Sequence, residues 1–119
     1  MDGRFKEGDF LFYQLEAGFA LMRLLTVDQN VGRDIWHVAT YRDLFLDLEQ
    51  IETAVSKPES LDTDIPHIAL TDRAFAATQV ATVGNAPPTE EERRIVQGWR
   101  DDPNHVVNDR SIRLITGLR

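Results

Sequence analysis

Three runs of aromatic and aliphatic residues, set within the first 41 positions and separated only by short glycine-containing turns, constrain this chain more than any other feature. Phe10-Leu11-Phe12-Tyr13-Gln14-Leu15 is the first, and Glu16-Ala17-Gly18 follows as a hairpin loop in which Gly18 is free to take a positive φ. Residues 19–27 are apolar on both sides except at Arg23, and Gln29-Asn30-Val31-Gly32-Arg33 turns the chain again. Ile35-Trp36-His37-Val38-Ala39-Thr40-Tyr41 is the third run, rich in the β-branched and aromatic residues that fit a pleated surface. Such runs, joined by such turns, predict an antiparallel meander. Strands that are apolar on both faces belong in a sheet that is covered or curled, not in one with a wet face. The expectation is an α+β fold: an antiparallel, strongly curled sheet of five or six strands, up to a closed barrel, with two helices.

The hydrophobic period changes after Tyr41. Leu44, Leu48, Ile51 and Val55 recur at four, three and four residues, a helical stripe. Thr40 with Asp43 reads as its capping signal, and Lys57-Pro58 stops it. Residues 59–66 form a polar loop, Ile68-Ala69-Leu70 a short strand entered through Pro66, and Thr71-Asp72-Arg73 a turn. Residues 78–83 read as a fifth strand ending at Gly84-Asn85, with Pro87-Pro88 beyond. Thr89-Glu90-Glu91-Glu92 starts a second helix: the threonine caps, Glu92 bonds back, and the carboxylates complement the helix dipole. Ile95, Val96 and Trp99 are its apolar side, Asp101-Asp102-Pro103 its end, and residues 111–116 read as a last strand.

With 119 residues, 42% of them hydrophobic and 28% charged, the chain has the material for one packed core, and residues 1–119 read as a single domain. The net charge of −7 argues against nucleic acid and anionic lipid as partners, since both select basic patches. It favours solubility and attraction of a basic protein. No cysteine is present, which removes disulfides, thiol nucleophiles and thiolate metal sites and is compatible with a cytoplasmic location. Residues 1–9 carry no apolar leader, and no run approaches the roughly 18 apolar residues that span a bilayer.

Chemistry-bearing motifs are scarce. His37, His67 and His105 lie some thirty residues or more apart, so no close-spaced ligand pair exists and no metal or other cofactor is expected. Ser56, Ser60 and Ser111 sit in no nucleophile elbow. Asp62 with Asp64, and Asp101 with Asp102, read as polar-loop residues, and Gly84-Asn85 is no phosphate loop. No catalytic residue is assigned. The run 90–92 is accounted for by helix capping. Asp43, Asp47, Glu49 and Glu52, opposite the apolar stripe of the first helix, have only a solubility explanation and form the candidate partner-binding face. Trp36 and Tyr41, five residues apart in one strand and hence on opposite faces, are the candidate ligand-binding residues for an alternative small-molecule or peptide-binding module.

Gly8-Asp9-Phe10-Leu11-Phe12, then Phe19-Ala20-Leu21-Met22-Arg23-Leu24-Leu25, then residues 65–72 and 80–87 with their Gly84-Asn85-Ala86-Pro87 turn, together resemble the bacterial immunity protein 26 family of polymorphic toxin systems. The resemblance covers residues 7–92. It implies a non-enzymatic protein that neutralises a cognate toxin, many such toxins being basic, by binding it, and it fixes no interface residue.

Overall fold

The computed structural model describes residues 4–119; residues 1–3, the start of the stretch read as lacking an apolar leader, lie outside the described residues. The three apolar runs form β1 (Asp9–Leu15), β2 (Gly18–Asn30) and β3 (Arg33–Phe45). They are joined by β4 (Thr63–Thr71) and β5 (Ala81–Asn85) in one antiparallel sheet of order β4-β3-β2-β1-β5. The α+β reading stands, but the sheet is neither closed nor strongly curled. Its strands are apolar on both sides because helices lie on both faces.

Alternation along the strands sorts the core. Leu11, Tyr13, Met22, Leu24, Trp36, Val38 and Leu70 point to one face, against Phe5, Ala74, Phe75 and Ile112. Phe10, Leu21 and Phe45 point to the other, against Ile51 and Val55 of α1 (Leu48–Val55). Leu25 and Ala39 on that second face meet Val96 of α3 (Glu90–Asp101). Ala74 and Phe75 belong to α2 (Asp72–Ala76), and Ile112 to α4 (Ile112–Thr116). Covering both faces buries the apolar runs without bending the sheet into a barrel.

Several boundaries differ from the sequence reading. α1 is capped by Asp47, whose side chain accepts from the Gln50 amide at 2.9 Å, and not by Thr40 and Asp43. Residues 40–45 already belong to β3, with Leu44 opposite Ala20 in the ladder, so their backbone has no need of a helix. The expected turn at 71–73 is the start of α2, because the Thr71 hydroxyl accepts from Ala74 N and caps it. β5 consequently begins at Ala81 and not at Thr78. The expected last strand is α4: Ser111 caps it, Gly117 ends it at φ 73°, and Ile112, Ile115 and Leu118 at three-residue spacing join the first core cluster. Four α-helices and a 3-10 turn (Pro58–Ser60) are therefore found among the described residues, where two helices were expected.

Gly8-Asp9 and Gly84-Asn85, far apart in sequence, form one corner. Asn85 Nδ2 donates to Asp9 Oδ1 and to the Glu7 carbonyl, both at 2.9 Å. Gly8 has φ 90°, and a Cβ there would lie 2.4 Å from the Ala86 carbonyl oxygen. Gly32 has φ 86° but open space around it. Both Gly→Ala changes incur left-handed strain of about 1–2 kcal/mol, and Gly8→Ala adds a backbone overlap. Urea denaturation should therefore show Gly8→Ala to be clearly more destabilising than Gly32→Ala.

Candidate functional site

Of the four carboxylates expected on one face of the first helix, only Glu49 and Glu52 lie within α1. Asp47 is the α1 cap, and Gln50 Oε1 returns a bond by accepting from Leu46 N at 2.9 Å. Asp43 lies on β3 and accepts from Asp62 N at 2.8 Å, so it is a brace of the following loop and not a helix residue. Arg42 bridges to Asp62 at 3.0 Å and to Asp64 at 3.4 Å. Glu49 and Glu52 are exposed and make no ion pair among the described residues. Residues 42–64 hold seven carboxylates against Arg42 and Lys57, which is five of the seven net negative charges of the chain. The turn that presents this charge also carries Leu44, Leu46 and Leu48 at 57%, 74% and 43% exposure. The apolar stripe read through Leu44 and Leu48 therefore starts in solvent, and only Ile51 of α1 is fully buried.

Trp36 and Tyr41 do not converge. Trp36 is buried in the first cluster, stacked on Phe75 at 4.0 Å between ring centres, with its indole N–H donating to Asp72 Oδ1 at 2.7 Å. Tyr41 is half-buried against the second cluster, and burial pushes its hydroxyl up to about 12. Trp36 borders an open cavity of about 660 Å³, lined also by Phe5, Asp34, Asp72, Phe75 and Thr78. The buried Thr78 hydroxyl has no hydrogen-bond partner among the described residues.

Two arrangements were not anticipated. The first surrounds Arg23, the one charged residue of the second apolar run. Its guanidinium donates to the Gly8 carbonyl, to the Pro87 carbonyl at 3.3 Å and to both Glu92 oxygens, at 3.3 and 3.2 Å, while lying 4.4 Å from the Phe10 ring centre. Burial pushes the Glu92 carboxyl up, but the bonds from Arg23 and the Thr89 amide outweigh it and hold it below its ordinary range. Glu92 is thus both the return arm of the α3 capping box and the counterion of a buried arginine.

The second arrangement gathers all three histidines around Trp99, where the sequence spacing gave no expectation of convergence. His37, fully buried in β3, bonds through Nε2 to Asp28 Oδ2 at 2.9 Å and through Nδ1 to His67 Nε2 at 2.8 Å. A carboxylate can only accept, so His37 carries its hydrogen on Nε2, its Nδ1 accepts, and His67 donates from Nε2. The second nitrogen of His67 is left with its lone pair. Arg100 of α3 grips the same carboxylate with two donors, Nε to Oδ2 at 3.1 Å, the oxygen His37 also uses, and Nη2 to Oδ1. Trp99 meets the His37 ring edge-on at 4.9 Å and stacks on His105 at 4.0 Å. Burial lowers both His37 and His67, the latter to about 4 with help from His37 and Arg100. Burial raises Asp28, but Arg100 and His37 overcome this and keep it an anion. Among the described residues no group of three or more side chains is placed to hold a metal ion. His67 donates to His37 and His37 to Asp28, while His105 Nδ1 lies 3.1 Å from the Trp99 carbonyl oxygen.

No family model, curated protein or solved structure matches the chain.

The Arg23 arrangement generates a stability test. Glu92→Ala leaves the arginine buried without its counterion and should cost about 3 kcal/mol, the lower end of the range for breaking a buried pair, because two carbonyls still accept from Arg23. The double variant Arg23→Met/Glu92→Leu should recover most of that loss in urea denaturation, since no buried charge remains.

Proposed function

We propose that this chain is a non-enzymatic binding protein of the cytoplasm that neutralises a basic toxin domain by occluding it, in the manner of an immunity protein. The observation that carries the reading is the concentration of charge: five of the seven net negative charges fall in residues 42–64, around a strand–helix turn that exposes three leucines. Protein interfaces combine apolar anchors with a charged rim, and complementary potential raises association rate and specificity more than raw affinity. The resemblance of residues 7–92 to the immunity family points the same way. Asp47, Glu49 and Glu52 steer the partner, with Asp43 at the edge, and Leu46 is the anchor.

The test is whether a basic protein encoded next to this chain's gene binds it, measured by surface plasmon resonance at low and high salt. Asp47→Asn/Glu49→Gln/Glu52→Gln should lower the association rate at low salt by about tenfold and flatten its salt dependence. Leu46→Ala should instead raise the dissociation rate, by about 30-fold if it is a hot spot worth about 2 kcal/mol. An affinity that ignores salt and all four substitutions places the interface elsewhere.

A second reading is favoured by the cavity beside Trp36, whose volume of about 660 Å³ suits a small molecule or peptide side chain and whose wall contains the unpartnered Thr78 hydroxyl. That module predicts ligand-dependent quenching of Trp36 that Thr78→Val weakens.

A further inference from the structure

We propose that the Asp28–His37–His67 chain is an acid-sensitive latch, holding the C-terminal half of α3 on the sheet and releasing it when the histidine pair takes up protons. The inference is independent of the partner-binding reading.

Each element packed at this point contributes a charged or titratable group. β2 gives Asp28, β3 gives His37 and β4 gives His67. α3 gives Arg100 beside Trp99, and His105 stacks on Trp99 just beyond the helix. Glu7 and Asp101 act on Arg100 from a longer range. Asp28 is the carboxylate that both Arg100 and His37 use.

Geometry sets the proton capacity. The 2.8 Å between His37 Nδ1 and His67 Nε2 holds one hydrogen and not two. The closed pair can therefore take one proton, on the free nitrogen of His67, and a second only by parting the rings. The first proton already sets an imidazolium in the field of Arg100, with Asp28 to balance both. Opening relieves that repulsion by returning the rings to water. Trp99 is the piece that must move, because it covers His37 and lies 6.1 Å from His67.

The other end of α3 is fastened separately. Glu92 is paired with Arg23 and its carboxyl sits below its ordinary range, so this contact survives mild acid. The outcome is local loosening around Trp99, with the sheet intact and Arg100 still able to pair with Asp28, which is likewise held below its ordinary range.

The sign follows from the lowered histidines. Above the ordinary histidine pKa of 6.5 both the closed and the open forms are neutral and closure is at full strength; as pH falls toward about 4 the open form binds protons that the closed form refuses. For His67 alone the open-to-closed ratio rises about 4-fold at pH 6 and about 30-fold at pH 5 relative to pH 7.5. His37 adds to this in the same direction.

The experiment is hydrogen exchange by NMR between pH 7.5 and 5, with protection factors corrected for intrinsic exchange, on the full chain. The Trp99 indole N–H, which donates to the Val106 carbonyl at 3.0 Å, reports the latch, and the backbone amides of β2 report the sheet. Trp99 protection should fall about 30-fold by pH 5 while β2 protection changes less than about 2-fold. His67→Gln keeps an N–H donor for His37 but does not titrate, and should reduce the Trp99 effect to a few-fold. Should that variant misfold, the wild-type comparison of Trp99 with β2 still decides. Flat Trp99 protection, an unchanged response in His67→Gln, or β2 losing protection in the same step would each overturn the latch.

Discussion

Arg23 lies in the middle of β2 with its guanidinium out of water, and the architecture around the N-terminal turn and α3 exists to satisfy it. Burying an ion costs on the order of several kcal/mol unless it is paired and its donors are filled. Here the donors reach the Gly8 carbonyl, the Pro87 carbonyl and Glu92, and the Phe10 ring lies alongside. These partners come from the turn before β1, from the double-proline segment after β5 and from the first turn of α3. One buried cation thus ties the turn before β1 to the stretch from Pro87 to Glu92, which is remote from it in sequence. The positive φ of Gly8 and the Asp9–Asn85 bond belong to the same corner, since they bring the Gly8 and Pro87 carbonyls within its reach.

With α3 fixed at one end by Arg23, its other end comes to rest where Trp99 and Arg100 meet His37 and Asp28. The two contacts differ in kind. The first pairs a permanent cation with a carboxylate held low; the second has such a pair in Arg100 and Asp28 but joins to it a histidine pair kept neutral by burial. A helix fastened by one pH-insensitive and one pH-sensitive contact has a built-in difference in local stability between its halves. The acidic turn at residues 42–64 lies outside both networks, which leaves Glu49 and Glu52 available for steering a partner.

Parts of the site were legible in the sequence. The helix-capping role of residues 89–92 could be read because it is local, and the structure has the full capping box. The Asp28–His37 contact was also within reach. A hairpin turning at Val31-Gly32 pairs Thr26 with His37, which puts Asp28 diagonally across on the same face. His67, Trp99 and Arg100 were not legible, because they arrive from β4 and α3 by packing and no spacing rule links them. The same holds for Glu92: its capping role explained it completely, so its second role opposite Arg23 left no trace. Leu44 shows the reverse failure, since it fitted a helical period and yet stands exposed on a strand.

What the sequence determined by itself was local: three meander strands from apolar runs and glycine turns, a capped helix from Thr89 to Glu92, and an acidic segment with little positive charge. These depend on neighbours within a few residues, where propensity, capping and turn chemistry act. Tertiary structure decided how strands apolar on both sides were buried, and helices on each face took the place of closure into a barrel. It also turned residues 72–76 and 112–116 into helices, each started by a hydroxyl cap and held by apolar contacts to the sheet. Above all it brought three histidines separated by some thirty residues or more into one cluster, because cross-strand register and helix docking, unlike sequence spacing, place side chains by their distance in space.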